Sequence, residues 1–428
     1  ESVNSCILLL GQVDGKEIIA VDDLAEREGK LHPVQEAMVQ YHGSQCGFCT
    51  PGFVMSLFTL YHLGHEPARA DVNDWLAGNL CRCTGYRPIV DAALSCCRGE
   101  PVDSYASAAA STIAALESLE RNEDVFIGDD RSFLAVPASV ESLAELYANH
   151  PEAVLVAGAT DVGLWITKQL RELPKIIFLH RAGLDRIENS SDALTIGAGA
   201  TYADAEPQLA AVDPDLRELL RRLGSKQVRA TGTIGGNIAN GSPIGDMPPA
   251  LIVLGATLDL RRGAAHRSIP LEDYFIAYGK QDRAPGEFIT STRIPKLRPS
   301  QAFRCYKIAK RFDQDISALM GAFCFDIADG TIAGAKIAYG GMAGIPKRAR
   351  GTEAAVTGLR LGDERAVLAA LPALAEDYQP IDDHRASAAY RIATAKALLQ
   401  KAIREVASGT TRHSRVIGFR EIDIGRVA

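Results

Sequence analysis

Four cysteines in two tight pairs could do the clearest chemistry in this chain. Cys46 and Cys49 lie in Ser44-Gln45-Cys46-Gly47-Phe48-Cys49-Thr50-Pro51-Gly52, and Cys81 and Cys83 in Asn79-Leu80-Cys81-Arg82-Cys83-Thr84-Gly85. A Cys-x-x-Cys loop lets two sulfurs converge on one ion or cluster edge, and a Cys-x-Cys pair can close the other side. Spacing alone admits an iron–sulfur cluster or structural zinc, with buried free thiols as the plain alternative. The elements around the pairs are legible. Thr50 reads as a helix N-cap with Pro51 at the first helical position, a buried stripe of Val54, Leu57, Phe58 and Tyr61, and a stop at Gly64. Thr84 and Gly85 turn the chain, and Pro88 opens a second helix buried through Ile89, Val90, Ala93 and Leu94. Two helix N-termini therefore face the sulfurs, where they would stabilise the negative charge of thiolates around a metal core.

Cys-Gly-Phe-Cys-Thr-Pro-Gly followed by Gly-Asn-Leu-Cys-Arg-Cys-Thr-Gly-Tyr-Arg-Pro-Ile closely resembles the helical iron–sulfur domain of the molybdenum hydroxylase (xanthine oxidase) family. The resemblance implies that Cys46, Cys49, Cys81 and Cys83 hold the 2Fe-2S cluster nearest the molybdenum cofactor. In that family a plant-type ferredoxin domain comes first and ends in Val-Asn-x-Cys. Val3-Asn4-Ser5-Cys6 matches it, which makes Cys6 the fourth ligand of a second 2Fe-2S cluster. Its other ligands would lie upstream of Glu1, and the chain's start without Met predicts missing upstream residues. By pattern, Val3–Leu10 and Lys16–Val21 predict a hairpin around Asp14-Gly15; the plain reading of Cys6 is a small buried hydrophobe.

Residues 22–98 read as the helical domain. His32-Pro33 opens a helix through Val34, Ala37, Met38 and Tyr41, and Asp71 is expected to cap one running through Trp75 and Leu76. His62 and His65 read as a polar helix end rather than metal ligands, and Cys96 and Cys97 as packing thiols. Residues 99–130 read as a Ser/Ala-rich linker carrying one helix around Ile113–Leu119.

At 428 residues the chain predicts roughly three domains of about 150 residues. A net charge of −7 without a long basic block argues against a nucleic-acid surface. No run of about eighteen apolar residues predicts a membrane span. Nine cysteines, an odd count with four in metal spacing, fit a reducing, cytoplasmic setting better than a disulfide framework.

Val154-Leu155-Val156-Ala157 predicts a strand, Gly158-Ala159-Thr160-Asp161 a tight turn, and Val162 the start of a helix. Such a turn offers backbone N–H groups to an anion, although a plain strand-to-helix connection explains it too. No Gly-x-Gly-x-x-Gly occurs, which argues against a Rossmann site. Lys226 to Asp246 is dense in Gly with interleaved Ile234, Ile238 and Ile244, so its backbone could approach a ligand closely. This segment resembles the FAD-binding segment of the same family, whose flavin domain shares the vanillyl-alcohol-oxidase fold. Carried over by position, the resemblance implies FAD pyrophosphate along Leu155, Val156, Ala157, Gly158, Ala159, Thr160, Asp161 and Val162, joined by Thr233, Gly236 and Asn237. Leu223, Gly224, Ala239, Gly245 and Asp246 would line the remaining surface, with Phe288 and Ile289 on a later strand. Asp246 suits a ribityl or ribose hydroxyl better than phosphate. Ala159 departs from the second Gly common in the family.

Phe303–Ile308 predicts a strand, Phe323–Ile327 and Thr331–Tyr339 a hairpin around Asp329-Gly330, and Ala386–Ala407 a helix. Lys307 and the loop Lys310–Ile316 match the family segment beside the flavin, so Lys307 is expected near the isoalloxazine; the plain reading is a charged surface loop. The expected fold is therefore multidomain α+β: the end of a β-grasp ferredoxin domain (1–21), a four-helix iron–sulfur domain (22–98), a linker (99–130), a vanillyl-alcohol-oxidase-type FAD domain (131–300), a small α+β C-terminal domain (301–410) and a tail (411–428).

The resemblance implies an electron-transfer chain for hypoxanthine and xanthine oxidation to urate. Electrons would come from a molybdenum-cofactor large subunit and leave through FAD to NAD, in a dimer of heterodimers. No residue of this chain is assigned to hydroxylation. Three alternatives stay open: a subunit for nicotinate, aldehyde or aromatic acyl-CoA hydroxylation, a zinc-bound non-enzymatic scaffold, and a flavin oxidase using oxygen.

Overall fold

The computed structural model describes residues 1–25, 29–120, 122–412 and 414–415. Its backbone contacts divide the chain into two units: residues 1–123, 159–172 and 224–230, and residues 124–158, 173–223 and 231–415 of the described chain.

The first unit is helical. Helices Pro33–Gln40, Thr50–Tyr61, Arg69–Leu76 and Arg87–Cys96 close around Val34, Phe53, Val54, Leu57, Leu60, Val72, Ile89 and Ala93. Each large apolar side chain buried this way contributes about 1.5–3 kcal/mol. The caps differ in detail from the pattern. Cys49, not Thr50, is the N-cap of its helix. Asp71 sits in the first turn of Arg69–Leu76 and accepts from the Ala68 N–H at 3.0 Å, because the helix starts earlier than its side chain suggested. The linker helix is longer than expected, Ser104–Leu119, since Asp103 caps it and an alanine run propagates it.

Residues 1–21 do not form the predicted hairpin. Strand backbone needs a partner for its N–H and C=O groups. Here the chain turns instead, Ile7 N–H bonding Asn4 C=O at 3.1 Å, followed by one 3-10 turn at Leu10–Gln12.

The second unit is built on three main sheets. Strand Phe133–Val136 pairs antiparallel with Val125–Gly128 and parallel with Lys175–Phe178, which also pairs parallel with Val154–Val156. A five-stranded antiparallel sheet has Phe288–Pro295 at its centre, between Ala193–Gly197 and Thr257–Arg262. A meander of Gln301–Ile308, Leu319–Ala328, Thr331–Gly340 and Lys347–Arg348 packs under helix Ala388–Ser408, which buries Ala395, Leu398, Leu399, Ala402 and Ile403. The Gly-dense stretch is largely helical, with Ile234–Asn240 and then Met247–Leu254. The expected tail from residue 416 onward lies outside the described residues.

Candidate cluster and flavin sites

In the first unit the four predicted thiols gather two by two. Cys46 Sγ lies 3.2 Å from Cys83 Sγ, and Cys49 is hydrogen-bonded to Cys81. Helices Thr50–Tyr61 and Arg87–Cys96 begin directly after the two loops, so their N-terminal dipoles point at the sulfurs. Cys81 is the best prepared. The Thr84 hydroxyl, 3.1 Å away, and then the Thr84 N–H lower its thiol to about 7. Burial raises Cys49 to about 11, with the Cys81 contact adding to it. A set of soft sulfur donors carrying N–H and O–H hydrogen bonds fits a thiolate-ligated cluster. Sequence reasoning took Thr84 only as a turn residue and passed over Tyr86. That residue adopts φ +70° and its hydroxyl accepts from the Cys81 N–H at 3.0 Å.

His62 proves to be more than a polar helix end. His32 Nε2 and His62 Nε2 each lie 2.8 Å from the same Asp103 oxygen. His32 Nδ1 accepts from the Val34 N–H at 3.2 Å, so the ring's proton sits on Nε2 and is donated to Asp103. A metal on that nitrogen would need the lone pair the proton occupies, so the trio is a hydrogen-bonded clamp between helix and linker. The other oxygen of Asp103 accepts from Ala106 N–H at 2.7 Å.

The expected flavin residues fall in both units. In the second, Leu155 and Val156 end their strand and Ala157 and Gly158 leave it. A Cβ on Gly158 would sit 1.8 Å from the Thr231 carbonyl oxygen, so only glycine lets these backbones approach. Thr233 caps Ile234–Asn240, its hydroxyl accepting from Gly236 N–H at 3.0 Å. Gly236 and Ala239 are exposed, and the Asn237 Oδ1 is buried with no partner among the described residues. Gly245 lies against that oxygen, a Cβ there falling 3.5 Å from it. An acceptor left open beside bare backbone is what a hydrogen-bonding cofactor needs, so these residues fit FAD.

Asp246 is not left open. Lys307 Nζ and Ser317 Oγ each lie 2.5 Å from one of its two oxygens, with Asp246 and Lys307 both buried. Ser317 carried no signal in the sequence; it lies at the end of the loop, two residues before strand Leu319–Ala328. Phe288 and Ile289 are core side chains at 2% and 5% exposure, so any cofactor contact they make is through backbone. Leu223 packs in the main core. The loop after Lys307 is anchored rather than a free surface loop. Arg222 donates to the carbonyls of Phe312 (2.9 Å) and Lys307 (2.8 Å) and lies over the Phe312 ring at 4.4 Å.

In the first unit, Ala159 takes φ +58°, the left-handed region that glycine favours. Thr160 and Asp161 follow it, and Val162 begins helix Val162–Thr167. Gly224 also has φ +58°.

Comparison with known proteins gives these sites a family. Residues 20–94 match the [2Fe-2S] binding domain, 130–297 the FAD binding domain in molybdopterin dehydrogenase, and 304–406 the CO dehydrogenase flavoprotein C-terminal domain. Xanthine dehydrogenase 1 of Arabidopsis thaliana is 30% identical over 422 residues, covering 82% of this chain and 31% of that protein. Xanthine dehydrogenase of Emericella nidulans is 29% identical over 434 residues, covering 88% and 32%. The chain thus spans about a third of these relatives. Among solved structures, reconstituted CO dehydrogenase from Oligotropha carboxidovorans superposes with a TM-score of 0.61 at 26% identity, over 66% of this chain and 99% of that one. Quinoline 2-oxidoreductase from Pseudomonas putida 86 gives 0.59 at 26% identity, over 64% and 96%. No helix among the described residues is long and apolar enough to cross a membrane. With an iron–sulfur domain, a flavin-binding domain and a flavoprotein C-terminal domain in that order, the chain belongs to the molybdenum hydroxylase family as its iron–sulfur and flavin portion.

Proposed function

We propose that this chain is the electron-transfer subunit of a xanthine dehydrogenase. It would take electrons from a molybdenum-cofactor large subunit and deliver them to NAD during oxidation of hypoxanthine and xanthine to urate. The observation that carries this is the presence, in one chain, of paired thiol loops and a flavin-binding domain. When bound, 2Fe-2S centres supply one-electron steps and FAD converts them to a two-electron hydride transfer. The chain's own work is to hold these groups. Cys46, Cys49, Cys81 and Cys83 would ligate the helical-domain cluster, with Thr84 hydrogen-bonding its sulfur. Cys6 would complete a second cluster. Leu155 to Val162, Leu223, Gly224, Thr233, Gly236, Asn237, Ala239, Gly245, Asp246, Phe288, Ile289 and Lys307 would hold FAD, Lys307 being steadied by Asp246 and Ser317. The domain boundaries set out from the sequence, a cytoplasmic location and a dimer of heterodimers belong to the same reading.

The purine assignment leans on relatives about 30% identical. A second reading, a subunit of another molybdenum hydroxylase, is favoured by the structural match to CO dehydrogenase and quinoline 2-oxidoreductase chains along nearly their whole length. Metal and flavin content, with visible spectra before and after anaerobic NADH, test the electron-transfer role. Iron, sulfide and flavin with bleaching by NADH are expected. Zinc without flavin would overturn it. Assay of the co-purified complex on xanthine, aldehydes and N-heterocycles separates the two readings.

A further inference from the structure

The residues between Cys83 and the helix Arg87–Cys96 read in the sequence as a turn. In the structure they form a closed hydrogen-bonded circuit around one sulfur. The Thr84 hydroxyl lies 3.1 Å from Cys81 Sγ, and the Thr84 N–H donates to the same sulfur at 3.5 Å. The Tyr86 N–H donates to the Thr84 hydroxyl oxygen at 3.2 Å, and the Tyr86 hydroxyl accepts from the Cys81 N–H at 3.0 Å. A metal-bound Cys81 carries no proton on sulfur, so of the hydroxyl and the sulfur it is the hydroxyl that donates.

This circuit is built on a strained backbone. Tyr86 has φ +70° and ψ −35°, and the Arg87 N–H bonds the Gly85 carbonyl at 2.9 Å across it, a three-residue turn that residues with a side chain rarely adopt. The turn brings the Tyr86 N–H back onto Thr84 and its hydroxyl onto Cys81. The Tyr86 ring meets Phe53 edge-on with centroids 6.3 Å apart, and Phe53 is fully buried in the helical core. All of these residues belong to the first unit.

We propose that Thr84, acting through the Cys81 sulfur, is a positioning residue that raises the reduction potential of the 2Fe-2S cluster the four thiols would hold, and that Tyr86 fixes Thr84 for that role. This rests on the electron-transfer reading above. On reduction one ferric ion of the cluster takes up one electron, and part of the added negative charge falls on the ligand sulfurs. A hydroxyl proton already aimed at Cys81 Sγ stabilises the more negative reduced state more than the oxidised one, so reduction becomes easier. Tyr86 holds the hydroxyl oxygen from its other side, so the donor is in place before the electron arrives.

The test uses the full chain and its variants Thr84→Val, which keeps the shape and the backbone N–H while deleting the hydroxyl, and Thr84→Ser, which restores a hydroxyl. Each is titrated with dithionite and mediator dyes, and the reduced cluster is followed by low-temperature EPR. The signal that Cys81→Ser removes is the one assigned to the helical-domain cluster. Iron, sulfide and flavin are measured alongside. With cofactor content unchanged, the cluster of Thr84→Val should show a reduced-to-oxidised ratio roughly tenfold lower at the wild-type midpoint, a fall of about 59 mV for a one-electron couple. Thr84→Ser should return close to wild type. A midpoint in Thr84→Val equal to or above that of wild type, no recovery in Thr84→Ser, or loss of iron from either variant beside a loaded wild type would overturn the proposal. Wild-type protein lacking iron would instead overturn the electron-transfer reading itself.

Discussion

The cluster loops and the flavin region solve the same problem, holding a redox group, by opposite means. Around Cys46, Cys49, Cys81 and Cys83 the donors come in short loops that run directly into helices, and two of the four cysteines are exposed. Around Asp246 the polar groups are buried and come from distant parts of the chain: Asp246, Lys307 and Ser317. Close by in sequence, Tyr306 joins a buried ionic knot in which Arg415 grips both Asp215 and Glu405, with Arg304 at 3.2 Å from Glu405. As proposed above, the first site would depend on local chain geometry and on a metal for its strength. The second depends on pairing every buried charge, because an uncompensated one is costly in low dielectric.

If that contrast is right, removing the metal should damage one unit and spare the other. Cys81→Ser, or iron chelation, is expected to abolish the helical-domain cluster absorption. It should also lower the melting transition of the first unit, because metal binding energy is folding energy there. Flavin content should hold. Loss of flavin in step with iron would break the comparison.

Next in size is the ionic knot. Arg415→Ala removes the guanidinium shared by Asp215 and Glu405, each at 1% side-chain exposure, leaving Arg304 beside Glu405, and should cost about 3–5 kcal/mol in urea unfolding. Its pH signature is specific. Burial alone would raise Glu405, but the Arg415 guanidinium and the Ser414 hydroxyl outweigh it, and the carboxyl lies below its usual range. A depressed carboxyl contributes stability that is full above the ordinary glutamate value of about 4.3 and is lost as pH falls through the folded value. Acidification below that point should therefore destabilise the wild type, and Arg415→Ala should flatten the dependence.

A smaller effect is expected at Asp246. Asp246→Ala strips Lys307 of its buried partner and should lower FAD occupancy while leaving the iron–sulfur absorption intact. If the aspartate acts through Lys307, Asp246→Ala and Lys307→Met combined should fall short of their sum by about 0.5–3 kcal/mol in a double-mutant cycle of stability. Strict additivity would separate the two residues. Smallest is Ala159, held at φ +58°. Ala159→Gly should stabilise by about 1 kcal/mol, the strain of a left-handed alanine, with a matching rise in the urea midpoint.

Much of the cluster region could be read from the chain because its information is local. The Pro51 and Pro88 helix starts, the apolar stripe at Val54, Leu57, Phe58 and Tyr61, and the thiol spacing all lie within a few residues of one another. Strands such as Val154–Val156 and the hairpin Leu319–Ala328/Thr331–Gly340 were legible for the same reason. The hairpin at residues 1–21 failed because strand propensity acts only where a partner strand exists. His62 was read only as part of a polar helix end, because its partner Asp103 is remote in sequence.

By itself, then, the sequence determined which cysteines share a short loop, where most helices begin and which family's motifs the chain carries, since each depends on neighbouring residue types; that Cys46 meets Cys83 and Cys49 meets Cys81 was decided by the tertiary structure. Only the tertiary structure decided that Asp246 faces Lys307 and Ser317, that His32 and His62 share one carboxylate, and that Gln227 ties Ser56 to Ser2. Those are pairings of buried polar groups. Burial makes each one obligatory, yet nothing in local spacing says which distant group will meet it.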